Sequence, residues 1–436
     1  MLAVAESTER FLAPLRANDF NQRLQDFFLD SFDSSGQFGN QCYPVCHRMR
    51  EAKLMVRLLE TEKTLLDEAA SAVGLRTASW ARNLLLGAAK GRMPPQQPEL
   101  SPKKFSLPLL SLFCGAGGLD QGFKEEGFTT VLAFDIDSDC VATFRRNHKA
   151  GFTFRRSITD LTTDELDAYY REPFQPVGVI GGPPCQSFSV SNVHQRDDDP
   201  RHRLPETYAS LLKSLNERHP ISFFLFENVP GLLRKRHLER YKKFKKLFKK
   251  AGFQVHEKLL NAKDFGVPQD RERIFIVGIN EKLHPGKTWT PPFPEKQLLT
   301  VRETIGHLPE PILNDRALNP EAVENVHPNH WCLVPRSQKF VSAKLEQGQA
   351  YGRSFRTLHW DEPSWTVAYG HREVHVHPNG KRRLSIYEAM LLQTFPSEYR
   401  LVGNMSAQVR LVSEAVPVKL ARKIAHSIKQ SLGLGG

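Results

Sequence analysis

The sequence predicts an α/β fold, a parallel sheet with helices on both faces. Two observations point there. Short apolar runs alternate with helical patterns from Phe105 to Gly278, the order expected of βαβ units. Hydrophobic residues make up 40% of the chain and charged residues 25%, enough to build a core and too apolar for global disorder.

The runs at 107–113 (LPLLSLF), 129–134, 177–182, 221–227 and 273–278 read as buried strands. Helical stretches lie between several of them, near 118–126, 138–148, 206–218 and 238–251. The last includes RYKKFKKLFKK, with Tyr241, Phe244, Leu247 and Phe248 on one face and lysines on the other. From about Lys282 to His377 prolines and turn residues recur, which reads as a small irregular domain. Helical character returns at Ser385–Thr394 and at Glu414–Leu432. Before all this, MPPQQPELSP (93–102) reads as a proline-rich linker. The expected division is therefore an N-terminal region (1–92), a linker (93–104), a large domain (105–281 with 410–436) and a small domain (282–409).

Of the 436 residues, 60 are Lys or Arg and 48 Asp or Glu, a net charge of +12 that favours polyanions, nucleic acids above all. Solubility alone is the plainer reading of that charge. Six cysteines do not make a disulfide scaffold, and no apolar run is long enough for a membrane span. The first twenty residues lack the basic and apolar regions of a secretory signal. A cytoplasmic protein with no membrane partner is the expectation. Collagen-like, coiled-coil and mucin-like classes are excluded by composition.

Three strand ends carry chemistry. After the first strand comes CGAGGLD (114–120), a glycine turn entering a helix, where backbone N–H groups can hold a polar cofactor. Gly115 and Gly117 permit close approach, and Asp135 at the end of the next strand can accept hydrogen bonds from ribose hydroxyls. GGPPCQSFS (181–189) puts Cys185 at another strand end, a nucleophile once deprotonated or else a small buried hydrophobe. FENVP (226–230) puts Glu227 after an apolar run, where burial raises a carboxyl's pKa and suits it to act as an acid. In VPQDRERIFIVG (267–278), Gln269, Arg271 and Arg273 alternate and so share a strand face; the arginines can orient the glutamate or grip a phosphate, or form a salt-bridged sheet edge.

The ordered set SLFCGAGGLDQGF, GGPPCQSFS, FENV and QDRERIFIVG resembles the DNA cytosine carbon-5 methyltransferases. RTLHWDEPSWTV (356–367), RRLSIYEAMLLQTFP (382–396) and EAVPVKLARKIAHSI (414–428) agree, so the resemblance spans about Phe105 to Ile428. It implies a Rossmann-like methyltransferase sheet and a target-recognition role for the small domain. It implies S-adenosyl-L-methionine as cofactor, lined by Phe113, Gly115, Gly117 and Pro183, with Asp135 at the ribose. It implies duplex DNA as substrate, with Gln186, Ser187 and Gln269 near it. Cys185, Glu227, Arg271 and Arg273 would be catalytic, acting on a cytosine flipped from the helix. The loop 187–203 resembles the family's mobile loop.

Two stretches depart from the family pattern. Ser157 stands where an acidic residue is common, and Ser413–Glu414 stands where a glycine–asparagine pair is common. A prokaryotic restriction–modification system, with a cognate endonuclease, or an orphan modification enzyme is the implied setting. Rivals are a tRNA methyltransferase and a non-catalytic DNA-binding regulator. His327, His330 and Cys332 match no strong zinc spacing and read as loop residues, as do Cys42, Cys46 and His47.

Residues 54–90 read as a strand and two helices broken at Gly74, similar to a ribbon-helix-helix module. That similarity implies a homodimer pairing through the strand. The alternative is a helical hairpin packed on the large domain.

Overall fold

In chain order the large sheet region comprises β1 (Pro108–Leu112), α1 (Gly118–Glu125), β2 (Thr129–Asp135), α2 (Ser138–Asn147), β3 (Phe152–Arg155), α3 (Thr163–Tyr170) and β4 (Gly178–Gly181). It continues with α4 (Leu204–Arg218), β5 (Phe223–Asn228), α5 (Leu238–Lys250), β6 (Phe253–Asn261), β7 (Gln269–Asp270) and β8 (Glu272–Asn280). These come from a computed structural model that describes residues 105–159, 161–184, 203–295, 297–314, 326–342, 345–352, 354–366 and 375–435. The region 1–92 with its module at 54–90, the linker 93–104 and Cys185, Gln186 and Ser187 lie outside the described residues.

Seven strands form one sheet in the order β3-β2-β1-β4-β5-β8-β6. The first five run parallel, as the βαβ order requires. β8 runs antiparallel to both β5 and β6, although the sequence placed 273–278 among parallel strands. Fewer than a dozen residues separate β6 from β8, too few for a crossover, so the chain must double back.

Strand alternation builds two cores. Leu110, Leu112, Phe134, Val179, Phe224, Phe226, Ile274 and Ile276 join one cluster, covered by Tyr208 and Leu212 of α4 and Phe244 and Phe248 of α5. Leu109, Ile180, Phe223, Leu225, Phe275 and Val277 join the other, covered by Leu119 and Phe123 of α1. On the same face lie Leu420, Ile424 and Ile428 of a C-terminal helix, α10 (Val418–Leu432). The lysines of α5 stay outside while Tyr241, Phe244 and Phe248 are buried, so its amphipathic pattern serves packing first.

Between β8 and α10 lie short elements. They are α6 (Val301–Ile305), β9 (Ile312–Asn314), β10 (Trp331–Leu333), α7 (Gln338–Val341), β11 (Ala350–Tyr351), β12 (Phe355–Thr357), β13 (Ser364–Trp365), β14 (His375–Val376), α8 (Ile386–Leu392) and α9 (Met405–Glu414). Polar chemistry organises them. Thr300 with Glu303 and Ser385 with Glu388 form capping boxes on α6 and α8. Buried Arg382 makes two 2.9 Å bonds to the Glu388 carboxylate. His330 is held at both ring nitrogens, by Ser385 Oγ at 2.9 Å and the Pro309 carbonyl at 2.8 Å. Among the described residues no helix is long and apolar enough to cross a membrane.

Candidate active site

β1 is flanked by β2 on one side and β4 on the other, so the strand order reverses there. Leu112 at the end of β1 pairs with Gly181 at the end of β4. The glycine turn and the turn leading to Cys185 therefore leave neighbouring strand ends, where open α/β sheets place ligands.

The first turn is unusual in its backbone. Phe113, Gly115 and Gly117 all take positive φ, at 56°, 54° and 79°. Phe113 pays a steric cost there that glycine avoids. Hydrogen bonds fix the turn: Cys114 N–H donates to the Phe134 carbonyl (3.1 Å), and Gly117 N–H to the Cys114 carbonyl (2.8 Å). The Asp135 carboxylate accepts from Gly115 N–H and Asp137 N–H, both at 2.9 Å. The space beside Gly115 is open: a Cβ there would meet only the Phe113 carbonyl oxygen, at 3.9 Å. Ile136, next to Asp135, is 68% exposed, an aliphatic surface at the strand end. Open backbone, a carboxylate and an exposed aliphatic together fit a nucleoside-bearing cofactor.

Glu227, on β5, stands two strands over from that turn and one strand over from β4, which leads to Cys185. It lies two residues beyond Leu225 on β5, and Arg273 lies two before Phe275 on β8, so alternation brings both to one face. Glu227 is directly opposite Phe275, which leaves Arg273 on the diagonal, within a long side chain's reach. Arg273 Nε is 3.2 Å from Glu227 Oε1. Burial raises the Glu227 pKa, opposed by the charges of Arg273 and Arg271. Gly182 packs on this carboxyl: a Cβ there would sit 2.8 Å from Glu227 Oε2. Asn228 Nδ2 donates to the Pro183 carbonyl at 3.4 Å. The stem leading to Cys185 is thus held against Glu227, and a carboxyl whose pKa burial raises is suited to act as an acid.

The family model for C-5 cytosine-specific DNA methylases matches residues 107–430. The chain belongs to this family. Among its relatives, the Type II methyltransferase M.MthTI of Methanothermobacter thermautotrophicus is 36% identical, over 75% of this chain and 98% of that protein. M.FnuDI of Fusobacterium nucleatum, another Type II methyltransferase, is 34% identical over 75% and 95%. A prophage-encoded candidate DNA modification methyltransferase of E. coli shares the fold with a TM-score of 0.64 at 22% identity, covering 75% of this chain and all of that one. The protein is a DNA cytosine-5 methyltransferase.

Other expected site residues of this C-5 methylase fall as follows. Pro183 is buried and Phe113 half-buried. Arg271 is buried; its guanidinium donates to the Ser413 carbonyl at 2.9 Å and reaches the Glu414 carbonyl at 3.5 Å. Arg273 therefore contacts Glu227 directly, while Arg271 acts on it through charge and ties the start of β8 to the end of α9. Gln269 has no exposed surface, and its backbone pairs with Ser364 of β13. Ser157 turns its hydroxyl to Thr159, accepting from the Thr159 N–H at 3.2 Å. Glu414 is exposed by area yet crowded by protein, and its carboxyl is pushed up to about 7 by that burial and by Asp135 and Asp137, against Arg410 and Arg271.

Sequence reasoning missed Ile136, Tyr399 and His148. A single apolar residue after Asp135 carries little signal. Tyr399 and His148 meet the glycine turn from far along the chain, a contact that no local pattern announces.

Proposed function

We propose that the protein transfers a methyl group from S-adenosyl-L-methionine to carbon 5 of a cytosine flipped out of duplex DNA, through a transient bond to Cys185. The observation that carries this reading is the buried Glu227 carboxyl, paired with Arg273 and packed on Gly182 three residues ahead of the thiol.

Carbon 5 of cytosine is a poor nucleophile. The Cys185 thiolate attacks carbon 6 and forms a C–S bond, while Glu227 delivers its proton to ring nitrogen 3. The ring becomes an enamine, and carbon 5 becomes nucleophilic. When bound, S-adenosyl-L-methionine supplies an electrophilic methyl group. Carbon 5 would take the methyl as its bond to the sulfonium sulfur breaks and S-adenosylhomocysteine leaves; a base would then remove the carbon 5 proton, the bond to Cys185 would break, and the nitrogen 3 proton would return to Glu227. Arg273 holds the Glu227 carboxyl in place. The turn admits the cofactor at Gly115, whereas the space beside Gly117 is taken by Tyr399 and His148; Asp135 accepts from the cofactor's ribose hydroxyls, and Phe113, Ile136 and Pro183 flank it. Because carbon 6 lies within the base stack, the nucleotide leaves the helix first.

The test uses duplex DNA amplified in vitro with 5-fluorocytosine in place of cytosine, long enough to sample many sequences. Fluorine cannot leave as a proton does, so the enzyme and cofactor are expected to yield a covalent complex that survives denaturant. Cys185→Ala yields none. Failure of the wild-type protein to trap on such DNA, or methylation of tRNA in preference to DNA, overturns the reading.

We also propose that the enzyme is the modification partner of a restriction endonuclease, or an orphan of such a system. The names of its Type II relatives support this. Mapping 5-methylcytosine in DNA from cells expressing the chain gives its target sequence, and an absence of any fixed sequence argues against the proposal.

A further inference from the structure

We propose that Tyr399, braced by His148, is a positioning residue that holds the cofactor turn in its strained shape. The proposal rests on the cofactor reading above.

A turn with three positive φ angles in five residues persists only when its surroundings over-determine it. Two of its N–H groups are held from within the sheet region, by the Phe134 carbonyl and the Asp135 carboxylate. The Ala116 carbonyl is held from elsewhere: the buried Tyr399 hydroxyl donates to it across 283 residues of sequence. His148 Nε2 is 3.0 Å from the same hydroxyl oxygen. The phenol has one proton, and it goes to Ala116, so the imidazole must donate. That assigns the proton to Nε2. Burial depresses the His148 pKa to about 3, which keeps the ring neutral, and raises that of Tyr399, which keeps its proton. Both side chains also close the space at Gly117, where a Cβ would lie 2.5 Å from the Tyr399 hydroxyl and 2.7 Å from His148 Nε2.

Tyr399 is itself fixed on two sides. His327 Nε2 lies 3.0 Å from its carbonyl, and Asn329 bonds both the N–H and the carbonyl of Leu401, at 3.0 and 2.9 Å. On the other side Asn147 bonds the N–H and carbonyl of Arg400, and Thr143 accepts from Val402 N–H. Segment 399–402 therefore bridges residues 327–329 and helix α2, and its hydroxyl arrives at the turn already placed.

The experiment is Tyr399→Phe in the full chain. The ring keeps its packing on Phe395, centroids 4.8 Å apart, and only the hydroxyl goes. Isothermal titration with S-adenosyl-L-methionine alone is expected to show binding weakened at least about tenfold, as when one buried acceptor loses its donor. KM for the cofactor rises in parallel, while kcat and DNA affinity hold within about twofold. Amide exchange is expected to rise at residues 114–118 and not in β5 or β8. Should the variant fold poorly, His148→Gln against His148→Ala serves: the amide can still donate to the tyrosine, so Gln is expected to keep most of the affinity that Ala loses. Unchanged cofactor binding in Tyr399→Phe, with the wild type binding normally, overturns the positioning role alone. Absence of cofactor binding by the wild type overturns the cofactor reading and the role with it.

Discussion

Glu227 shows how one side chain's surroundings set its task. Its carboxyl is buried, so its proton is retained to higher pH than an ordinary glutamate's, and Arg273 limits that rise while fixing its direction. In the proposed reaction the acid form is the working form, so methyl transfer is expected to fall as pH rises through the raised pKa. Glu227→Gln is expected to lower kcat by about 10²-fold and to flatten that alkaline limb, as read from kcat between pH 5 and 9. Gly117 shows the opposite economy, a residue chosen for what it lacks. Gly117→Ala puts a methyl group into the Tyr399 and His148 contacts at a φ of 79°. A stability loss of roughly 3 kcal/mol is expected in urea unfolding, from backbone strain together with overpacking.

At the scale of elements, Asp120 in the first turn of α1 joins three of them. Its Oδ1 accepts from Thr130 Oγ1 of β2 at 2.7 Å and it lies beside Ser111 of β1, but its Oδ2 is buried without a hydrogen bond. Burial lifts its pKa from 3.8 to about 6. The fold therefore prefers the protonated acid: the associated stability is complete below about pH 4 and is lost as pH rises through about 6. Asp120→Asn is expected to leave stability little changed at pH 4 and to raise it at pH 8, by up to about 3 kcal/mol, in paired thermal melts. Glu388 serves both as the capping partner of Ser385 and as the anion of Arg382. Glu388→Ala takes from the Arg382 guanidinium its buried anion and leaves it the exposed Glu310 carboxylate at 2.6 Å; it is expected to cost about 3 kcal/mol, measured by the same melts.

Elements also mark where sequence was sufficient. β1, β2, β4 and β5 were legible because each is a short apolar run, and Glu227 and Arg273 because a period of two assigns faces without knowledge of neighbours. β6 was not read, since FQVHEKLLN is an edge strand with most residues partly or fully exposed and no clean alternation. Without β6, the doubling-back that makes β8 antiparallel leaves no trace in the apolar pattern. Helix α9 was not read either: its residues pack against Ala116, Cys140 and Tyr387, partners dispersed through the chain. Arg271 was read as a companion of Arg273, but its bonds to the Ser413 and Glu414 carbonyls depend on where a helix some 140 residues later ends.

For the molecule as a whole, charge decides how DNA is met. With a net +12, association is expected to be steeply salt-dependent, weakening at least about 10²-fold between 50 and 200 mM salt in a fluorescence titration with duplex DNA. A flat response would mean that the lysines of α5 and the rest of the basic surface do not meet phosphate. The two faces of the sheet are also completed at different times. Its α4–α5 face closes with residues that all precede Asn280, whereas the opposite face pairs α1 with α10. A ribosome making this enzyme must therefore translate Leu420, Ile424 and Ile428 before the face that Leu119 and Phe123 begin to cover is closed. Until then the growing polypeptide carries a partly uncovered apolar face, a natural stretch for chaperones to shelter.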